Sequence, residues 1–292
     1  MHCSSFCGFA QKTQSKIYDD GHGGKVEVPM GDISFADEIV SYVPGNPAPI
    51  SSSSDPKSAI GIPDFNNLNS GFVSLGCGGE LVIGFLNNVL VDNPGADLFL
   101  FEVGKYVEKT SLSISKNGKD WINVGTISGG QTTVDIAGVC QPFETFNYVK
   151  LVDLKESCSG SWPGADIDAI AAIGSGQSIA ISNHLLFEFG KSTLLNEALP
   201  MLDSISGIIA NFKKDVNVII EGHTDSVGSA QFNKQLSESR ANGVEKYLQI
   251  KNKIARFKTF GYGSQFPKNS NKTEQDREAN RRVEIIILPG KI

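Results

Sequence analysis

Apolar and polar positions alternate over short runs from Ile33 to about Ile173, and then the rhythm changes. Residues 71–75, 80–85, 97–102, 110–115, 147–152 and 166–171 each carry the period of two expected of a strand. Gly, Pro, Asn and Asp separate these runs, and Asn117-Gly118 is a hairpin turn signal. No amphipathic helix interrupts the series, so residues 31–175 are expected to form an all-β sandwich of jelly-roll type. Residues 11–30 are polar and Gly-rich without usable periodicity and read as a flexible leader. Residues 176–184 follow Gly174 and read as a linker.

Beyond residue 185 the period lengthens. Residues 185–189 predict a strand, and Leu195, Ala198, Leu202, Ile205, Ile209 and Phe212 mark a helix within 194–212. A strand at 216–220, a helix at 231–249 and strands at 256–260 and 283–287 complete the order β-α-β-α-β-β. That order predicts an α+β domain over 185–292, with two helices on one mixed sheet. Arg240 breaks the pattern of the second helix. At about 100° per residue it falls between Leu236 and Val244, on the face that should be apolar. A guanidinium stays charged there and is costly to desolvate without an anion. Asp225, just past a strand in Gly222-His223-Thr224-Asp225, is the expected partner. Two readings stand: a shielded structural ion pair, or a pair open to a cleft. The open pair would offer a carboxylate and a guanidinium to a zwitterionic amino-acid group.

Charge and cysteines refine this division. The net charge of −6 conceals 10 basic and 20 acidic residues in 1–183, against 16 and 12 in 184–292. The C-terminal excess is too mild and too little clustered for nucleic acid. No apolar run approaches the roughly 20 residues that span a bilayer as a helix. Residues 1–10 look like the remnant of an export signal, which places the chain in an oxidising envelope compartment. Of the five cysteines, Cys3 and Cys7 are expected to leave with the export signal, Cys140 and Cys158 bracket a strand-turn-loop stretch and are the expected disulfide, and Cys77 is left free.

From Leu185 to Leu288 the residues resemble the OmpA-like peptidoglycan-binding domain. The resemblance rests on Phe187-Glu188-Phe189, Gly222-His223-Thr224-Asp225, Gly228, Asn233, Leu236-Ser237, Arg240-Ala241, Val244 and Leu248. Gly261-Tyr262-Gly263 and Asn280-Arg281-Arg282-Val283-Glu284 extend it. It implies that Asp225 accepts from the ammonium of diaminopimelate in the stem peptide while Arg240 forks onto its carboxylate. Thr224 and backbone N–H groups would complete the cradle. His223 is expected to be a structural residue at the strand end and Asn233 a turn or first-turn residue. Arg281 and Arg282 would either line the cleft or cap a solvated edge.

The N-terminal part, through stretches such as residues 35–45, 92–97, 115–121 and 163–169, resembles discoidin-like, galactose-binding-like β-sandwiches of bacterial surface proteins. That resemblance implies glycan or protein binding. Asp92, Asp97, Glu102, Asp166 and Asp168 supply hard oxygen donors near turns, the ligand set calcium prefers. Asp residues that cap their own turns explain them equally. Trp121 and Trp162 read either as sugar platforms or as packing. The expected protein is therefore a non-enzymatic, exported envelope protein of the periplasm or outer membrane that holds peptidoglycan. A wall or glycan hydrolase is the alternative, although no paired carboxylates or activated nucleophile stand in a recognisable setting.

Overall fold

A computed structural model describes residues 15–65, 71–104, 108–128, 132–188, 190–212 and 216–290. The expectations for residues 1–10 and for Phe189 fall outside the described residues. Two compact units divide the chain at Ser175/Gly176.

In the N-terminal unit the strands are β1 (Lys16–Asp19), β2 (Lys25–Val28), β3 (Glu38–Val43), β4 (Val73–Ser74), β5 (Glu80–Gly84), β6 (Asn88–Val91) and β7 (Leu98–Glu102). They continue with β8 (Thr110–Ser115), β9 (Ile122–Ile127), β10 (Thr133–Val134), β11 (Thr145–Phe146), β12 (Tyr148–Asp153) and β13 (Asp166–Ala172). One antiparallel sheet runs β3-β5-β12-β8-β9 and another β10-β7-β13-β4. Alternate residues of both sheets meet in one core. Leu81, Ile83, Leu112, Ile114, Val149 and Leu151 come from the first sheet, and Leu98, Leu100, Ile167 and Ile170 from the second.

Two expectations change here. Within the stretch read as a flexible leader, β1 and β2 pair as a hairpin. Tyr18, Val26 and Val28 pack it on Phe35, Phe99 and Phe101, and Asp20 accepts from His22 N and Gly24 N to shape its turn. Strands of four residues are too short for periodicity to reveal them. The disulfide joins Cys77 to Cys158, while Cys140 is the free thiol. Proximity in sequence favoured Cys140; the antiparallel topology brings Cys77 across 81 residues instead. The β7–β13 register shifts between Ile167 and Ala169. Asp168 sits at that bulge, between the two.

The C-terminal unit contains β14 (Ser175–Ser182), α1 (Asn183–Leu186), α2 (Leu199–Asn211), β15 (Asn217–His223), α3 (Ala230–Lys251), β16 (Arg256–Gly263), α4 (Glu274–Asn280) and β17 (Arg282–Leu288). Its strands lie in the order β14-β17-β15-β16, antiparallel except for the parallel β15–β16 pair. Most of the stretch read as a linker is therefore strand β14, whose Ile179 and Ile181 alternate into the core under the helices. Its small polar residues imitated a spacer. The strand predicted over 185–189 is instead the end of α1 followed by a single bridge from Phe187 to Leu194. Helix α4 was not predicted from the sequence, although Thr273 and Asp276 form a reciprocal capping box at its start.

Helix α3 fixes the geometry of the unit. Ser229 caps it by accepting from Phe232 N, and Asn233, Ser237, Arg240, Ala241, Val244 and Leu248 form its buried face. Val244 and Leu248 join the core with Val218, Ile220 and Ile285, each such side chain contributing about 1.5–3 kcal/mol. At Gly222 a Cβ would lie 2.1 Å from Ser237 O, and at Gly261 2.4 Å from Glu238 N. The helix thus rests directly on the backbones of β15 and β16.

Candidate functional site

Strand β15 delivers Asp225 to the end of the sheet, and the loop that follows holds it there. Thr224 N donates to Gly263 O, tying the loop to the end of β16. The Thr224 hydroxyl donates to Asp225 O at 2.9 Å, and Val227 N donates to Asp225 Oδ1 at 3.0 Å. Asn233, buried in the first turn of α3, donates from Nδ2 to Val227 O at 3.0 Å and to Asp225 O at 3.4 Å. Asn233 and Thr224 are thus spent on shaping the loop. Asn271 reaches in as well, its Oδ1 accepting from Ser226 N.

Arg240 rises from the buried face of α3 toward this loop and is 6% exposed. Its Nε donates to Lys191 O at 2.9 Å, and its guanidinium lies 5.4 Å from the centroid of the Phe187 ring. Its terminal amino groups have no hydrogen-bond partner among the described residues. Burial, and then the neighbouring charge of Arg281, pull its pKa down, while Asp225 opposes that shift. The expected ion pair from Asp225 to Arg240 is not made. Arg281, just past α4, takes Asp225 instead, with NH1 donating to Oδ2 at 2.6 Å and NH2 to Glu274 Oε1 at 2.6 Å. One carboxylate therefore faces two guanidiniums, one engaged with it and one held nearby with its fork uncommitted.

The remaining predicted residues lie elsewhere. Arg282 is buried and fully engaged, its Nε with Glu284, NH1 with Asn280 O and NH2 with Phe266 O, so it does not line the cleft. His223 is 2% exposed on the sheet, its ring beside Tyr262 and its Nε2 3.7 Å from Glu221 Oε2. Burial and then Arg282 lower its pKa, so it is held neutral. Phe187, the Lys191 carbonyl, Asn271 and Glu274 were not anticipated as parts of the site. Phe187 stood in the family pattern, and the capping box at Thr273 was the signal for Glu274.

Two groups of three could offer metal ligands within 4.8 Å of one another among the described residues. In Glu221–His223–Glu284, Arg282 and Lys268 already neutralise Glu284, so a cation would meet two positive charges. In Asp92–Asp97–Asp135, Asp97 accepts from Asn93 N and Ile136 N, one for each oxygen. The five carboxylates proposed for calcium do not form one shell. Asp92 and Asp97 gather with Asp135, which the sequence reading missed, whereas Glu102 and Asp168 line a separate recess.

The model of the OmpA family matches residues 186–281, the stretch that carries all of this geometry. Outer membrane protein A of Bordetella avium is 41% identical over 106 residues, 36% of this chain and 54% of that protein. The putative lipoprotein YfiB of Escherichia coli (strain K12) is 33% identical over 112 residues, 38% of this chain and 69% of that protein. The chain belongs to the OmpA family. Membership rests on the C-terminal unit, and the chain spans about half the length of the first curated relatives it matches. Among solved structures, the cell wall anchor of the T6SS from Pseudomonas aeruginosa aligns at 26% identity with a TM-score of 0.36. It covers 39% of this chain and 82% of that one. No helix among the described residues is long and apolar enough to cross a membrane.

Proposed function

We propose that this OmpA-family chain is a non-enzymatic envelope protein that anchors non-covalently to peptidoglycan. Its C-terminal unit would grip the free zwitterionic end of diaminopimelate in the stem peptide. The observation that carries the reading is the arrangement of Asp225, Arg281 and Arg240, one carboxylate facing two guanidiniums at the end of β15. The ligand ammonium takes the place of Arg281 on Asp225 Oδ2, and the ligand carboxylate enters between Arg281 and the uncommitted fork of Arg240. Glu274 keeps Arg281 within reach while it changes partner. The relatives' names, an outer membrane protein and a lipoprotein, support an exported location at the periplasm or outer membrane. The N-terminal unit belongs to the same reading as a discoidin-like jelly roll that presents a surface to a glycan or envelope protein.

Pull-down on diaminopimelate-type peptidoglycan tests the site. Asp225→Ala and Arg240→Ala are each expected to lower retention at least tenfold, with the far-ultraviolet circular dichroism unchanged; undiminished retention by both rejects the site. Lysine-type peptidoglycan, whose stem residue has the ammonium without the second carboxylate, is expected to be held weakly. Equal retention of the two wall types removes diaminopimelate as the ligand.

A further inference from the structure

Asn183 opens α1 directly after β14 and is 3% exposed. Its backbone N donates to Arg281 O at 2.8 Å, and its Nδ2 donates to His223 O at 3.1 Å. Ser182 lies opposite Arg282 and Gly222 opposite Val283, so Asn183 stands at the edge of the sheet where β14 and β15 end and β17 begins. It is thus fastened to Arg281 and to the residue two before Asp225, the pair that meets across the site. Its Oδ1 is buried and has no hydrogen-bond partner among the described residues. A buried carbonyl oxygen without a donor is uncommon, because water has been removed and nothing has replaced it.

An ammonium group supplies such a donor. It carries three N–H groups and no acceptor. Asp225 has little left to offer them. Its Oδ1 accepts from Val227 N and its carbonyl from Thr224 and Asn233, so Oδ2 is the oxygen that Arg281 vacates. The hydrogen bond from Nδ2 fixes the amide of Asn183, and with it the place where Oδ1 stands.

We propose that Asn183 is a further binding residue of this site, its Oδ1 accepting an N–H of the ligand ammonium beside Asp225 Oδ2 as Arg281 changes partner. The proposal rests on the reading of the site as one for the zwitterionic end of diaminopimelate. A carboxylate alone attracts any cation, whereas a second, neutral acceptor selects for N–H groups. The ligand class is therefore a primary ammonium beside a carboxylate.

Pull-down of the full chain on diaminopimelate-type peptidoglycan tests it, with untreated walls and walls whose free amines are reductively dimethylated, which keeps the charge and leaves one N–H. The natural chain is expected to hold dimethylated walls at least tenfold more weakly. Asn183→Leu, of similar size, is expected to hold untreated walls about tenfold more weakly and to lose no more than about threefold further on dimethylation. Asn183→Asp keeps the free acceptor but not the donor to His223 O, and its retention is expected within about threefold of the natural chain. Equal retention of the two walls by the natural chain, undiminished retention by a folded Asn183→Leu chain, or an Asn183→Asp chain as weak as Asn183→Leu each overturns the proposal. Asp225→Ala run in parallel separates the two readings. If it loses retention while Asn183→Leu does not, the role of Asn183 alone fails; if it keeps retention, the reading of the whole site fails and this one with it.

Discussion

Asp97 offers a measurable test of how the N-terminal unit is held together. It is fully enclosed, its two oxygens accept from Asn93 N and Ile136 N, and burial pushes its pKa from 3.8 up to about 6. Asp92 and Asp135 add to that rise. In the unfolded chain the group ionises first, so stability is greatest below about pH 4 and is lost as pH climbs through 6. A shift of about two units is worth about 3 kcal/mol in all, of which about half falls between pH 5 and pH 8. Asp97→Asn abolishes this titration. It also deprives Ile136 N of its acceptor, a loss of about 1–3 kcal/mol that does not vary with pH. Urea unfolding followed by tryptophan fluorescence isolates the right unit, because both tryptophans, Trp121 and Trp162, lie in it. The natural chain is expected to lose about 1.5 kcal/mol more than the variant on going from pH 5 to pH 8. Equal losses in the two proteins would refute the claim that Asp97 is held in a desolvated site.

The other expectations concern packing and crosslinking. Reduction of the Cys77–Cys158 bridge, or Cys158→Ser, is expected to destabilise the N-terminal unit by about 4–5 kcal/mol on the chain-entropy model, given the separation of 81 residues. An unchanged urea midpoint under reductant would contradict the pairing, as would peptide mapping that finds Cys140 in the bridge. Gly222→Ala drives a methyl group into Ser237 O and is expected to cost at least about 3 kcal/mol while also weakening wall retention. A fully stable Gly222→Ala chain would mean that α3 does not lie on β15 as described.

Much of the C-terminal unit was legible because its long elements carry long-range periodicity. The stripe Leu236–Val244–Leu248 announced α3, and the same stripe exposed Arg240 as an anomaly. Its partner could not be read, because α4 and the loop before it place Arg281 by a path that no local pattern records. The Gly/Ser-rich start of β14 concealed a strand, since pairing with β17 supplies what its own side chains lack. In the N-terminal unit the alternation gave the strands but not the bulge at Asp168. The cysteine pairing failed for a related reason: an antiparallel topology makes neighbours of residues far apart in the chain.

The two glycines beneath α3 decide what kind of change the site around Asp225 and Arg240 can survive. With main chain against main chain at Gly222 and Gly261, no layer of side chains acts as an adjustable shim between helix and sheet. The spacing from Arg240 to Asp225 is therefore insulated from mutations that repack Val244 or Leu248 farther along the helix. The same contact gives the spacing no tolerance for growth at the glycines themselves. Charge at the site can be altered by substitution without moving its mount, whereas a side chain at either glycine displaces the mount itself.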